Sequence, residues 1–278
     1  MNSLMAMDRS TDLRPGRVTL GSGITLSWAE QGDQAGVPLI LLHGYSDSWR
    51  SYQPLMDALP ATVRAVAVSL RGHGDSDKPR AACDAPAMAN DLVEFLDRLG
   101  IARAVIAGHS MGSLVAQRLA ATAAQRMLGL VLLGAFRTLR GNPEIEALWR
   151  EVCALADPVD PAFVRAFQQS TLAQPVPPDY FEMVVGESLK LPAHTWRSAL
   201  RSQIDEDLGK LPAIQAPTLI LWGDKDSICD RAGRQALQAS IPHARHITYA
   251  GAGHALHWEE PARAASDIAA FIETLRTP

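Results

Sequence analysis

The pentapeptide Gly108-His109-Ser110-Met111-Gly112 sets a serine between two glycines, each two positions away. The apolar run 104–107 precedes it and the amphipathic stretch 113–125 follows it, which is the pattern of a strand, a sharp turn and a helix. Such a turn strains the serine backbone, and a Cβ at either flank would clash, so glycine is expected at 108 and 112. Ser110 would project from the turn while the first amides of the helix face the place where negative charge develops. The chemistry this predicts is nucleophilic attack on a carbonyl.

A serine hydroxyl is a poor nucleophile near neutrality and needs a base, which in turn needs a carboxylate to orient it. The base must come from eight histidines. His43, His73 and His109 fall in tight turns at strand ends, His194 lies far from the other motifs, and His243 and His246 flank the start of the last apolar run. His254 follows that run in Gly251-Ala252-Gly253-His254, a glycine-rich loop able to swing an imidazole over the strand ends. It is the best-placed base, and His257 is its one close rival. For the acid, the run 218–222 ends in Gly223-Asp224-Lys225-Asp226, and either aspartate serves on spacing alone. The run 129–133 ends without a carboxylate and is excluded. Two backbone donors should receive the oxyanion: the amide of Met111, just after the nucleophile, and that of Tyr45 in His43-Gly44-Tyr45.

These residues need a scaffold that brings loop ends together. Short runs rich in Val, Ile and Leu at 24–30, 39–42, 65–69, 104–107, 129–133, 218–222 and 246–249 read as strands buried on both faces, with an earlier one at 17–20. Helical spacing fills 51–59, 87–99, 113–125, 231–240 and 261–276; Leu92, Phe95, Leu96 and Leu99, for example, share one face. The fold class is therefore α/β, a mostly parallel central sheet flanked by helices on both faces. Strand and helix alternate except over 137–212, where prolines punctuate amphipathic pieces at 144–156, 161–169, 179–189 and 194–208. That stretch is expected to be an inserted helical cap on a core of residues 1–136 and 213–278. Its aromatics should mostly pack its own small core, while Trp149, Phe163, Phe167, Phe181 and Trp196 are expected to reach the substrate.

Five segments resemble the alpha/beta hydrolase fold superfamily in its capped esterase, haloperoxidase and epoxide-hydrolase-like branch. They are LILLHGYSDSW at 39–49, LRGHGDSDKP at 70–79, AGHSMG at 107–112, PTLILWGDKD at 217–226 and GAGHALHWEEP at 251–261. The order is the family's and the span is nearly the whole chain. The resemblance implies Ser110 as nucleophile, His254 as base, Asp226 rather than Asp224 as acid, the Tyr45 and Met111 amides as oxyanion hole, and the insertion as lid. Cys229 departs from the family, in which proline is frequent at this position, and is expected to bear on loop shape.

The expected activity is hydrolysis of a small or medium, largely apolar ester, thioester or lactone through an acyl-enzyme, with no cofactor and no metal. Serine at 110 argues against epoxide opening and halide displacement, for which the related enzymes use a carboxylate. Three other readings compete: a C–C bond hydrolase, a cofactor-free perhydrolase with the same triad, and a ligand-sensing protein that keeps the fold without catalysis. The first is disfavoured by Ser46-Asp47-Ser48 and Ala255, where those enzymes carry a Gly-Ser-Gly-rich loop and a tryptophan. Gly72-His73-Gly74 fails as a dinucleotide loop because Asp75, Ser76 and Asp77 would face the pyrophosphate. The pairs His243/His246 and His254/His257 lack the second pair that a metal site needs.

Composition narrows the partners. Lys+Arg 26 against Asp+Glu 30 gives a net charge of −4, and no basic stripe is present, so nucleic acid is not expected. The partner should be a small-molecule substrate, and whether the chain forms a homo-oligomer is left open. Three widely spaced cysteines, Cys83, Cys153 and Cys229, suit a reducing compartment, and a cytoplasmic location is expected. No run approaches the roughly 20 apolar residues of a membrane span. Residues 1–17 read as a tail without a signal-peptide core.

Overall fold

The computed structural model describes residues 13–80 and 83–276. The strands are β1 (Arg14–Thr19), β2 (Thr25–Gln31), β3 (Val37–Leu42), β4 (Val63–Val68), β5 (Ala104–His109), β6 (Met127–Leu133), β7 (Thr218–Gly223) and β8 (Arg245–Tyr249). They form one eight-stranded sheet in the order β1-β2-β4-β3-β5-β6-β7-β8. From β4 onward every neighbouring pair is parallel, whereas β1–β2 and β2–β4 are antiparallel.

The continuous apolar runs follow from burial on both faces. In β3, Ile40 and Leu42 enter one core layer while Leu39 and Leu41 enter the other, and β5, β6 and β7 repeat this alternation. Each such leucine or isoleucine contributes roughly 1.5–3 kcal/mol when buried, so both faces demand helical cover. Helices α2 (Ala85–Arg98), α3 (Met111–Thr122) and α8 (Arg231–Ser240) bring Phe95, Leu114 and Leu237 to the first layer. Helices α1 (Gln53–Ala58) and α10 (Pro261–Thr274) bring Leu55 and Ile268 to the second. A short α9 (Leu256–Glu259) precedes α10.

Between β6 and β7 the described chain is helical, with α4 (Pro143–Ala154), α5 (Pro161–Ser170), α6 (Pro178–Ser188) and α7 (Ala193–Asp205). Three of the prolines that break up this stretch in the sequence open its helices: Pro143, Pro161 and Pro178 each occupy the first helical position. There a missing N–H costs nothing and φ is already set. Asn142 and Asp160 cap the starts of α4 and α5 with their side-chain oxygens.

Two expectations need correction. Residues 14–17 are not tail but the first part of β1, an edge strand whose half-exposed, charged face hid it from a search for apolar runs. The rest of the expected tail, residues 1–12, lies outside the described residues. The helix expected over 194–208 ends at Asp205, and a 3-10 turn over Leu208–Lys210 follows. Among the described residues no helix is long and apolar enough to cross a membrane.

Candidate active site

Ser110, Asp226, His254, Tyr45 and Met111 stand just past the carboxyl ends of β5, β7, β8 and β3, all strands with parallel neighbours, where ligands of open α/β sheets bind. Ser110 lies between β5 and α3 with φ +50°, in the region that favours glycine. Its N–H donates to the Leu133 carbonyl at 3.0 Å, which ties the turn to β6. The flanking glycines are a steric requirement: a Cβ on Gly108 would strike the Gly112 carbonyl, and one on Gly112 the Leu42 and His43 carbonyls at the end of β3. The α3 N-terminus is thereby pressed against the loop that carries Tyr45. Neither the Tyr45 nor the Met111 N–H donates to another protein group among the described residues.

His254 and Asp226 meet. Imidazole Nδ1 stands 2.9 Å from Asp226 Oδ2, and both side chains are buried. The other carboxylate oxygen accepts from the N–H groups of Ile228 and Cys229, each at 2.9 Å. Burial alone would raise the Asp226 carboxyl, but the His254 charge, its hydrogen bond and these amides outweigh it and hold the group below the ordinary range. Asp224 is exposed and does something different, accepting from the Gly251 N–H at 2.7 Å to brace the loop before His254.

A carboxylate partner, which among the described histidines only His254 has, separates the rivals. His257 packs between Tyr52 and His109, at ring-centroid distances of 4.9 and 4.4 Å, and neither of its nitrogens has a partner. Burial and the neighbouring His254 push it down to about 3. Burial likewise brings His73 down to about 4 and holds His43 and His109 well below the usual histidine range. His194, His243 and His246 have no carboxylate partner among the described residues.

Ser110 and His254 line one cavity, together with Tyr45. Its apolar wall is Leu139, Ile145, Leu148, Phe167, Leu200 and Ile228, drawn largely from α4, α5 and α7. The cavity is small, about 40 Å³. A groove between α4 and α5 shares Ile145, Leu148, Phe167 and Ile228 with it and continues past Phe163.

Of the five aromatics expected at the substrate, Phe167 lines the cavity and Phe163 the adjoining groove. Trp196 does not line it: fully buried, it stacks edge-on with Tyr45, Phe163 and Phe167 and so supports the wall from behind. Trp149 and Phe181 also stand away from the cavity, each beside an arginine, Arg201 and Arg165 respectively. Spacing placed these rings on helices without saying which side faces the core.

The sequence reading gave no role to Asp47, Gln168 and Glu259, and only a loop role to Cys229. Asp47 is buried in the cavity wall, and burial pushes its carboxyl up to about 7 against the pull of Gln168, His254 and the Gly44 backbone. Gln168 is buried beside it. Glu259 accepts from the N–H groups of Ala173, Gln174 and Gly253, joining the segment after α5 to the loop of His254. Cys229 lies with its Sγ 3.9 Å from His254 Nδ1, so this departure from the family sits beside the imidazole as well as in a loop. Asp226, Cys229 and His254 present donor atoms within 4.8 Å of one another, the closest approach to a metal-ligand set among the described residues. Nδ1 and the carboxylate already serve each other, and burial raises the thiol well above its usual range, which disfavours the thiolate a metal requires.

Residues 37–261 match the family described by the alpha/beta hydrolase fold. The chain belongs to that family. An AB hydrolase superfamily protein from Bacillus subtilis is 32% identical to this hydrolase over 85% of the chain and 91% of its own length. A dihydrolipoyllysine-residue acetyltransferase component from Pseudomonas putida is 26% identical over 86% of the chain, which spans 66% of that protein. Among solved structures, a candidate aryl esterase from Burkholderia cenocepacia superposes with a TM-score of 0.85 at 25% identity, covering 95% of this chain and all of that one.

Proposed function

We propose that this hydrolase is a serine carboxylic ester hydrolase acting through an acyl-enzyme, with Ser110, His254 and Asp226 as its triad. The observation that carries the reading is the pairing of a strained, glycine-flanked serine with an imidazole in one cavity, the imidazole being anchored to a buried carboxylate at 2.9 Å. His254 Nε2 takes the Ser110 proton as Oγ attacks the carbonyl. Asp226 fixes the Nδ1–H tautomer and stabilises the imidazolium that forms. The Tyr45 and Met111 amides receive the oxyanion, with the N-terminus of α3 adding its dipole. His254 then returns the proton to the leaving group, and water, activated by the same base, releases the acid.

The cap over residues 137–212 acts as a lid on the core of 1–136 and 213–278, and the apolar wall it supplies selects a neutral, largely apolar substrate of small or medium size, whether ester, thioester or lactone. The candidate aryl esterase among its structural relatives supports the ester class. Hydrolysis of simple aryl esters by the wild type, against Ser110→Ala as blank, tests the reading. Equal rates for the two proteins would reject it.

A further inference from the structure

Gln168 sits where α5, α6 and the loop after β3 converge. Its side chain is 1% exposed. Nε2 lies 3.0 Å from Ser46 Oγ, 3.0 Å from Asp47 Oδ1 and 2.8 Å from Ser188 Oγ. Ser188 spends its own hydrogen on the Val184 carbonyl at 3.0 Å, so it accepts from Gln168. Two N–H groups thus serve three buried oxygens, one of them shared, so the oxygens depend on a hydrogen-bond donor at this point.

Two of those oxygens belong to the residues that directly follow Tyr45. Ser46 has φ +66°, a left-handed conformation that a residue with a side chain keeps only when its surroundings impose it. Tyr45 is itself held from the same side, its hydroxyl donating to the Trp196 carbonyl on α7 at 2.6 Å. The loop that presents the Tyr45 N–H is therefore shaped by helices of the cap rather than by the sheet alone.

We infer that Gln168 is a positioning residue for the oxyanion hole, holding Ser46 and Asp47 so that the Tyr45 N–H points at the developing charge. This rests on the reading of Ser110 as nucleophile and of Tyr45 as oxyanion donor. Donors of this kind act only when pre-aimed, since reorientation during the reaction cancels their benefit. Gln168 lines the cavity of Ser110 and His254 but bonds to Ser46, Asp47 and Ser188 rather than to either of them, so its loss acts mainly on the transition state and less on ground-state binding.

The titratable groups facing Asp47 are His254, Tyr52 and Tyr180. The tyrosines stay neutral over the working range because burial raises them well above their usual value. Replacing the Gln168 amide by an acid sets a second carboxyl against Asp47, and that acid donates only while it keeps a proton.

Gln168→Leu and Gln168→Glu are compared with wild type, using end-point fluorophosphonate labelling of Ser110 to count active sites. Gln168→Leu is expected to lower kcat about 10- to 100-fold, less than outright loss of an oxyanion donor, with KM within about twofold. A trifluoromethyl ketone, which forms a tetrahedral oxyanion on the serine, should weaken by the same factor, while a planar amide analogue of the substrate binds unchanged. Gln168→Glu should retain more activity relative to wild type in mild acid and lose it as pH rises and the acid gives up its proton. Wild-type kcat per labelled serine in Gln168→Leu, or equal weakening of ketone and amide, would overturn the inference. If Gln168→Leu does not fold, a pH-independent ratio for Gln168→Glu overturns it instead. Failure of wild type to label at Ser110 would strike the catalytic reading itself, which separates the two.

Discussion

Gly134, the first residue after β6, leaves room for His254: a Cβ there would stand 2.8 Å from the His254 carbonyl and 3.1 Å from its imidazole Cε1 and Nδ1. Its φ of +50° makes a side chain unwelcome for a second, independent reason. Gly134→Ala is expected to displace the imidazole and lower kcat by more than about tenfold, a loss of roughly 1.4 kcal/mol or more in transition-state stabilisation. Gly23→Ala, at φ +82° with open space around it, should cost stability without touching kcat. Comparable kcat values for the two variants would show that the space beside His254 is not limiting.

The two aspartates after β7 should separate sharply. Asp226→Asn is expected to lower kcat on the order of 10⁴-fold, as in serine-protease triads, because the amide favours the wrong imidazole tautomer. Asp224→Asn, which disturbs a hydrogen bond to the Gly251 N–H, should lower it less than about tenfold. The reverse ranking would move the acid by two residues.

The buried histidines make the fold sensitive to acid. His257 titrates at about 3 when folded against an ordinary 6.5, so between these values the unfolded chain binds a proton that the folded one refuses. Stability therefore falls as pH falls through that window. His257→Phe removes this contribution and two buried nitrogens without partners, so its melting temperature should exceed that of wild type. The gain should grow from pH 7.5 to pH 5, where the linkage alone supplies about 2 kcal/mol. A gain that stays constant with pH would mean that His257 is protonated in the folded protein.

Chain length should register the small cavity. Each methylene buried contributes about 0.8 kcal/mol, so kcat/KM on p-nitrophenyl esters should rise about fourfold per carbon, then fall at short to medium acyl chains. Phe167 stands in both the cavity and the groove, and Phe167→Ala should shift the optimum to longer acyl chains. An optimum unmoved by that change would place the acyl chain elsewhere.

The sequence disclosed the scaffold because two-sided burial writes itself as continuous apolar runs, and the sheet from β2 to β8 was readable within a few residues at each end. β1 was only partly readable, since an edge strand with a charged face carries a weak hydrophobic pattern. The glycines at 108 and 112 pointed to a turn, and the collisions that a Cβ would meet there supply the reason. What stayed hidden depends on which way a side chain faces. Spacing alone could not prefer Asp226 over Asp224, and it could not tell that Trp196 stands behind the cavity wall while Phe167 forms it. Asp47 and Gln168 each look like ordinary polar residues until folding buries them against one another.

Reaction with a fluorophosphonate tests the central claim most directly, because only a serine activated by a neighbouring base attacks such a phosphorus centre readily. Wild-type protein should gain one adduct, located by peptide mass analysis at Ser110, while Ser110→Ala and His254→Ala remain unlabelled over the same time. Labelling at another serine, or full turnover of an ester by Ser110→Ala, would contradict the account.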